Sequence, residues 1–437
     1  MHPALAIPEI IAGIFFYIPM TAKERPDDWP PYASPYVKKS HLPALAKVCK
    51  AFRSPALDFI WESLWGLEKL LELLPKHALV RDNRGRIVDI GVLSHDDWFA
   101  IFNHTSRVRN LNLIMSVDPS PPYMLPFITR LASPPLTVGT CGFPRLRNLC
   151  LRGSDLNLLG FLPLCSLEGL YLSVTEYTPM DPAQIATLRR DALPNLTKLK
   201  LSHKWSGSAS VSGIAVPTNP REPPVTLGTL RLLTSFAALE HLKLDLPHPI
   251  VLTDADLECI ARAWPRLKTF ELNRRCGWGI PHSLITVDGL IAVARYCPHI
   301  TSLAVTINSG SIGEPKDVPP YWAAHQARWY EEGETSLGRN TSLTHLALIS
   351  PIVPSCVALG LLLASLFKNV TDLEAQDADV GRGLKEVRKR AKRVESEGAF
   401  GPQGFVPSAR NFYIMGKGLG ERMDVELRPC GSLEYRV

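Results

Sequence analysis

Residues Trp264–Asn273 read WPRLKTFELN. Leu267, Phe270 and Leu272 stand at the spacing apolar-x-x-apolar-x-apolar, and the alternation at its end describes a short, half-buried strand. The phrase returns along the chain. Phe143–Arg152 reads FPRLRNLCLR, Leu193–Ser202 LPNLTKLKLS, Phe236–Asp245 FAALEHLKLD, Cys297–Thr306 CPHITSLAVT and Asn340–Ile349 NTSLTHLALI. The first apolar positions are Val108, Leu146, Leu167, Leu196, Leu239, Leu267, Ile300, Leu343 and Val370, at intervals of 38, 21, 29, 43, 28, 33, 43 and 27 residues.

A phrase of this kind is the signature of a leucine-rich repeat, in which each unit supplies one strand. Bare units run roughly 20 to 29 residues, so the longer intervals hold a helix or an inserted loop. The helices are legible. Thr253–Asp256 is a capping-box start followed by inward Leu257, Ile260 and Ala261, with a stop before Pro265. Val287–Tyr296 repeats the arrangement with Leu290, Ile291 and Ala294, and Ser355–Phe367 carries Val357, Leu361, Leu362 and Leu366. Each helix precedes a strand. The expected fold is therefore α/β, a right-handed leucine-rich-repeat solenoid with parallel strands on the concave face and helices on the convex face. Stacking also explains how 437 residues hold together without one oversized core. The array spans 76–376, with a Ser/Gly/Pro-rich insert at 203–225 and an aromatic one at 309–339 that carries Trp322, Trp329 and Tyr330.

Ahead of the repeats the periodicity is helical throughout. Ile10, Ile11, Ile14, Phe15 and Ile18 form one apolar stripe after Pro8-Glu9, and a Pro-rich loop occupies 19–41. Leu45, Val48, Cys49 and Phe52 form a second stripe. Ser54-Pro55 then reads as the start of a third helix with Leu57, Ile60, Trp61 and Leu64. Residues 1–75 are expected to be a small all-α domain. At the other end, 377–437 holds a basic run (Lys385, Arg388, Lys389, Arg390, Lys392, Arg393) and two strands, Phe412–Met415 and Met423–Leu427, around the turn Gly416–Gly420.

IPEIIAGIF followed by LPALAKVCKAFRSPALDFIWESL resembles an F-box. The matching positions are Pro8, Glu9, Ile10, Ile14 and Phe15, then Leu42, Val48, Cys49, Lys50, Phe52, Arg53 and Trp61. Ile7 stands where leucine is usual, Phe52 where tryptophan is usual, and the intervening loop is longer by about twenty residues than the family pattern. With its irregular repeats, such as TDADLECIARAWPRLKTFEL, the chain is similar to the expanded F-box-like families of mushroom-forming fungi. The resemblance implies docking onto a Skp-type adaptor, and through it a cullin, as the substrate-recognition subunit of a ubiquitin ligase. It also implies that the adaptor-binding residues lie among Pro8, Ile10, Ile11, Phe15, Leu45, Val48, Phe52 and Trp61, some of which form the domain's own core.

Strand alternation places Asn148, Arg152, Tyr171, Lys198, Lys200, His241, Lys243, Glu271 and Asn273 along the concave face as the expected substrate-binding residues. The middle of that row is mildly basic, so an acidic or phosphorylated protein segment is the expected partner. The alternative reading is a repeat scaffold unconnected to ubiquitin ligation, its first helices serving only as a cap.

Other classes fit less well. There is no Gly-x-Ser-x-Gly elbow, no Walker loop, no His-Glu-x-x-His and no zinc cysteine pair, so no enzyme, cofactor or metal is expected. His241 and His345 share a repeat slot rather than a metal. A net charge of +6 is too modest to announce nucleic acid. Nine scattered cysteines point to reduced thiols and a cytoplasmic or nuclear location. The apolar run Ile10–Ile18 lacks a basic flank and is too short for a bilayer, which needs about 20 residues. The Asn-x-Ser/Thr triplets at Asn103, Asn195, Asn340 and Asn369 read as turn residues of the repeat.

Overall fold

The structure, a computed structural model, describes residues 42–85, 87–114, 124–132, 142–153, 164–175, 193–204, 224–274, 283–308, 340–348 and 369–375. It also describes the strands at 412–414, 423–427 and 433–436 and isolated residues elsewhere. Two compact units divide the chain, Met1–Gly207 and Ser208–Val437.

The first elements described at length in the first unit are helices α1 (Leu42–Val48) and α2 (Lys50–Trp61). They pack on each other through Leu42, Leu45 and Ala46 on one side and Ala51, Phe52, Ala56, Phe59 and Ile60 on the other. The sequence suggested a helix start at Ser54-Pro55, and the structure corrects this. Cys49, in extended backbone, is the break, and α2 runs through Pro55 as one helix. A turn placed at Cys49 lets Phe52 swing onto α1, and that burial outweighs the one interior hydrogen bond that Pro55 forgoes.

Strand β1 (Ser63–Trp65) follows at once and pairs in parallel with β4 (Asn110–Ile114), seating Leu64 beside Leu111. The ladder continues through β5 (Asn148–Arg152), β6 (Gly169–Thr175) and β7 (Lys198–Lys204). Register puts Leu111, Leu149, Leu170 and Leu199 in one row, with Leu113, Leu151, Leu172 and Leu201 in the next. All eight are buried, each contributing about 1.5–3 kcal/mol of transfer free energy. Between β1 and β4 lie helix α3 (Glu68–Leu71), an antiparallel hairpin of β2 (Leu79–Arg81) and β3 (Ile87–Ile90), and α4 (His95–Thr105). A capping box of Ser94 and Asp97 starts α4. Helix α5 (Met124–Ala132) precedes β5, and its Arg130 donates to the Ile90 and Gly91 carbonyls.

The second unit repeats the plan with β8 (His241–Asp245), β9 (Thr269–Leu272), β10 (Ser302–Val305), β11 (His345–Leu348) and β12 (Asp372–Ala375), all parallel. Leu242, Phe270, Leu303, Leu346 and Leu373 form its buried row. Helix α6 (Leu227–Arg231) precedes β8, α7 (Asp254–Ala263) precedes β9 and α8 (Val287–Tyr296) precedes β10. Thr253 and Asp256 close the capping box read from the sequence, and Trp264, fully buried, meets Phe270 edge-on at 6.3 Å. The helix expected at 355–367 falls largely outside the described residues; of those described, Leu359, Leu363 and Leu366 are helical and buried. At the end, β13 (Phe412–Ile414), β14 (Met423–Leu427) and β15 (Leu433–Arg436) form an antiparallel sheet, so the expected pair of strands gains a third.

Within each unit, polar side chains bind one repeat to the next. The Thr301 hydroxyl donates to the Lys268 carbonyl, Thr344 to that of Thr301 and Thr371 to that of Thr344. Asn195 donates to the Cys165 carbonyl, Asn340 to Cys297 and Asn369 to Thr341, each at 2.8–2.9 Å. Three of the four Asn-x-Ser/Thr triplets thus exist because a turn asparagine reaches the preceding repeat. The result in both units is a mixed α/β, solenoid-like arrangement around an open parallel sheet.

Candidate functional site

Two surfaces carry the expected site residues. On the helix pair, Leu45 and Phe52 belong to the α1–α2 core, and Trp61 packs against His104 of α4 with ring centroids 4.4 Å apart and the planes tilted by 37°. Val48 stands apart at 65% exposure, and Ile7 and Ile10 are 46% and 41% exposed. Pro8, Ile11 and Phe15 lie outside the described residues. The structure thus separates core from surface, which spacing alone could not do. Sequence reading missed what anchors the pair. Arg107, in the turn after α4, donates to the Ser54 carbonyl at 3.2 Å and engages the Asp58 carboxylate. Burial, then the Arg107 charge, hold the His104 imidazole below its ordinary value.

On the sheet of the first unit, register brings the expected residues into rows. Asn148 donates to Asn110 at 2.7 Å, and Asn110 to Ser63 at 3.0 Å, forming an amide ladder that Asn148 alone did not reveal. One position on, Cys150, Tyr171 and Lys200 are neighbours on β5, β6 and β7. Tyr171 was expected to project from the face, but it is buried at 4% exposure. The Lys200 ammonium lies 5.0 Å and the Arg152 guanidinium 5.9 Å from its ring centroid, and Ser202 donates to its hydroxyl at 3.0 Å. Long side chains from both neighbouring strands fold over the ring and remove it from water. Burial pushes the Cys150 thiol up to about 11, against the pull of Arg152 and Lys200, and pushes Cys297 up to about 12. Both shifts run away from the thiolate, the reactive form of cysteine.

In the second unit, His241, Thr269, Ser302, His345 and Asp372 share one row, so the two histidines do occupy one repeat slot. His241 Nδ1 meets Thr269 at 3.0 Å and His345 Nδ1 meets Asp372 at 2.8 Å. The next row is a charge network. Lys243 pairs with Glu271 at 2.8 Å, and Arg274 bridges Glu271 at 3.9 Å and Glu374 at 2.6 Å. Burial by itself would raise the Glu271 carboxyl, but Lys243, its hydrogen bond, Arg274 and His345 together hold it below the usual carboxylate value. His345, Asp372 and Glu374 place ligand-type atoms within 4.8 Å of one another, with Arg274 seated on Glu374.

Three expected face residues are corrected here. Glu271 is 8% exposed and committed to Lys243 and Arg274, and Lys243 is correspondingly engaged. Asn273 is fully buried at φ 46, its side chain accepting from the Leu246 N–H at 2.8 Å and donating to the His248 carbonyl at 2.9 Å. Alternation fails at Asn273 because it sits one residue past the end of β9, where the chain turns into the left-handed region that asparagine tolerates.

No helix among the described residues is long and apolar enough to cross a membrane. No protein-family model matches the chain, and no curated protein matches it. Among solved structures it is similar to the crystal structure of the Rad7 and Elc1 complex in yeast, at 16% identity over 77% of this chain and 82% of that one, with a TM-score of 0.30. At that score the superposition is too loose to carry an assignment.

Proposed function

We propose that this chain is a non-catalytic adaptor: the substrate-recognition subunit of a Skp–cullin–F-box ubiquitin ligase. In this reading residues 1–75 dock on a Skp-type adaptor protein, 76–376 present a protein substrate and 377–437 close the array. The work is done in the cytoplasm, the nucleus or both. The observation that carries it is the α1–α2 pair. In a segment that reads as an F-box, Val48 stands 65% exposed while Leu45 and Phe52 hold the pair together. Arg107 fixes α2 to the base of the repeats, so a partner on α1 and a substrate on the sheet of the first unit would be held at a set separation. Fixed separation is what raises the effective concentration of a substrate lysine near a charged ubiquitin enzyme.

The test is a pull-down of a Skp-type adaptor by the full chain. Wild type is expected to retain it, and Val48→Asp to lose it with an unchanged thermal melt, because Val48 contributes nothing to the core. Retention by Val48→Asp and by a Pro8→Ala/Phe15→Ala variant alike, or no capture by wild type, overturns the reading and leaves a repeat scaffold with a helical cap.

A further inference from the structure

Among the described residues, Ser54-Pro55 is the one place where a serine or threonine precedes a proline. The pair lies inside α2 and so does not cap a helix. Ser54 is exposed, as is Arg53 before it. The turn that carries them is weakly held. Cys49 gives that end of α2 no side-chain cap, and Pro55 has no N–H to offer the Ala51 carbonyl. The Pro55 ring also disfavours the helical backbone that α2 imposes on Ser54. A turn of this kind opens at less cost than the rest of its helix. Opened, it is the extended Ser-Pro segment that a proline-directed protein kinase takes into its groove.

A cation already stands beside the hydroxyl. Arg107 Nη1 lies 3.4 Å from Ser54 Oγ and 3.2 Å from the Ser54 carbonyl oxygen. Nη1 also engages Asp58, and Nε donates to the Asn103 carbonyl at 3.2 Å. Nη2 makes no hydrogen bond to the described residues. A phosphate on Ser54 therefore needs no displaced partner. Its terminal oxygens reach beyond Oγ to the Nη2 side of the fork, while Asp58 keeps Nη1. The opposing effect is repulsion between that phosphate and Asp58, one helical turn on. Asp58 is 48% exposed at its side chain, so water and salt weaken the repulsion. Arg107 is 17% exposed, and its pairing is weakened less.

We propose that Ser54 is a phosphorylation site and that its phosphate locks α2 to the turn after α4 through Arg107. In the transfer, the Ser54 hydroxyl oxygen attacks the γ-phosphorus of ATP held by a kinase. The bond from that phosphorus to the bridging oxygen breaks, ADP leaves, and the hydroxyl proton passes to the kinase's base. The product brings about two negative charges and three acceptor oxygens to a place that held one neutral hydroxyl. Modification thus sets how tightly the helix pair is joined to the first repeat. That control is independent of whether the helix pair docks an adaptor.

The full chain is incubated with ATP and, in turn, two proline-directed serine/threonine kinases, and the modified residues are mapped by mass spectrometry. Phosphate is expected on Ser54 and is expected to be lost from it in Pro55→Ala. Hydrogen exchange then compares phosphorylated with unmodified protein. Phosphoserine is also installed at position 54 during translation, so that this comparison does not depend on a kinase. Exchange across α2 is expected to slow at least roughly threefold in wild type and to stay unchanged in Arg107→Gln. No phosphate on Ser54 from either kinase overturns the site. Unchanged or faster exchange across α2, or equal slowing in Arg107→Gln, overturns the lock.

Discussion

Arg107 holds Asp58. The guanidinium from the turn after α4 lies against the carboxylate in the middle of α2 and also reaches the Ser54 carbonyl at 3.2 Å. Arg107 is 17% exposed at its side chain and Asp58 48%. The contact ties two elements 49 residues apart in the sequence. Arg107→Ala is expected to cost about 1–2 kcal/mol, because one charge-assisted contact and one carbonyl partner are lost together. Thermal melting of the full chain measures the cost. Hydrogen exchange is expected to rise in α2 and not in α8, and equal change in both would refute the assigned role.

Glu271 makes the second unit sensitive to acid. Burial is the largest influence on its carboxyl and works against ionisation, yet Lys243, Arg274 and His345 outweigh it and keep the folded value below the unfolded one, about 4.5. A carboxylate held low contributes stability that is present above its unfolded value and lost as pH falls through its folded value. Urea midpoints measured from pH 7 down to pH 3 are expected to fall steeply below about pH 4.5 in wild type. In Glu271→Gln the fall should be shallower, starting from a lower midpoint at pH 7 because Lys243 loses its partner. An unchanged slope would show that the Lys243–Glu271 pair does not set the acid limit.

Asn273 combines a left-handed backbone with two buried side-chain hydrogen bonds to the Leu246–His248 segment. Asn273→Gly keeps the backbone free and loses only those bonds, for an expected cost of about 1–3 kcal/mol. Asn273→Ala loses the bonds and adds about 1 kcal/mol or more of left-handed strain. Alanine is therefore expected to be the worse substitution by denaturant titration. The reverse order would remove backbone strain from the explanation.

Gly289 lies inside α8, where alanine normally gains about 1 kcal/mol. A Cβ here would stand 2.7 Å from Asp254 Oδ1, 2.9 Å from Ile285 and 3.0 Å from Leu257. Asp254 Oδ1 already accepts from the Thr286 and Gly289 N–H groups at 2.7 and 2.9 Å, joining α7 to the start of α8. Gly289→Ala is expected to destabilise by about 1–3 kcal/mol despite the helix propensity. A rise in melting temperature would mean that the carboxylate can move away at no cost.

Local residue patterns were enough to place the repeated strand, its inward residues and the helices before it. The apolar phrase Leu267, Phe270, Leu272 is a local pattern, and so is the Thr253–Asp256 capping box, and both appear in the fold as read. Such patterns also placed His241 and His345 in one slot, because equal steps through a repeat put equal positions in one row. Local spacing could not tell which of Leu45, Val48 and Phe52 faces water, because that depends on where Cys49 breaks the helix. It could not foresee that Lys243 is engaged by Glu271, or that Arg152 and Lys200 meet over Tyr171. Those pairings join residues from different repeats, and only parallel register, set by rows of buried leucines, brings them within reach. The repeat was therefore legible in the order of the residues. Which side chains a charge on it meets was decided by its neighbours across the sheet.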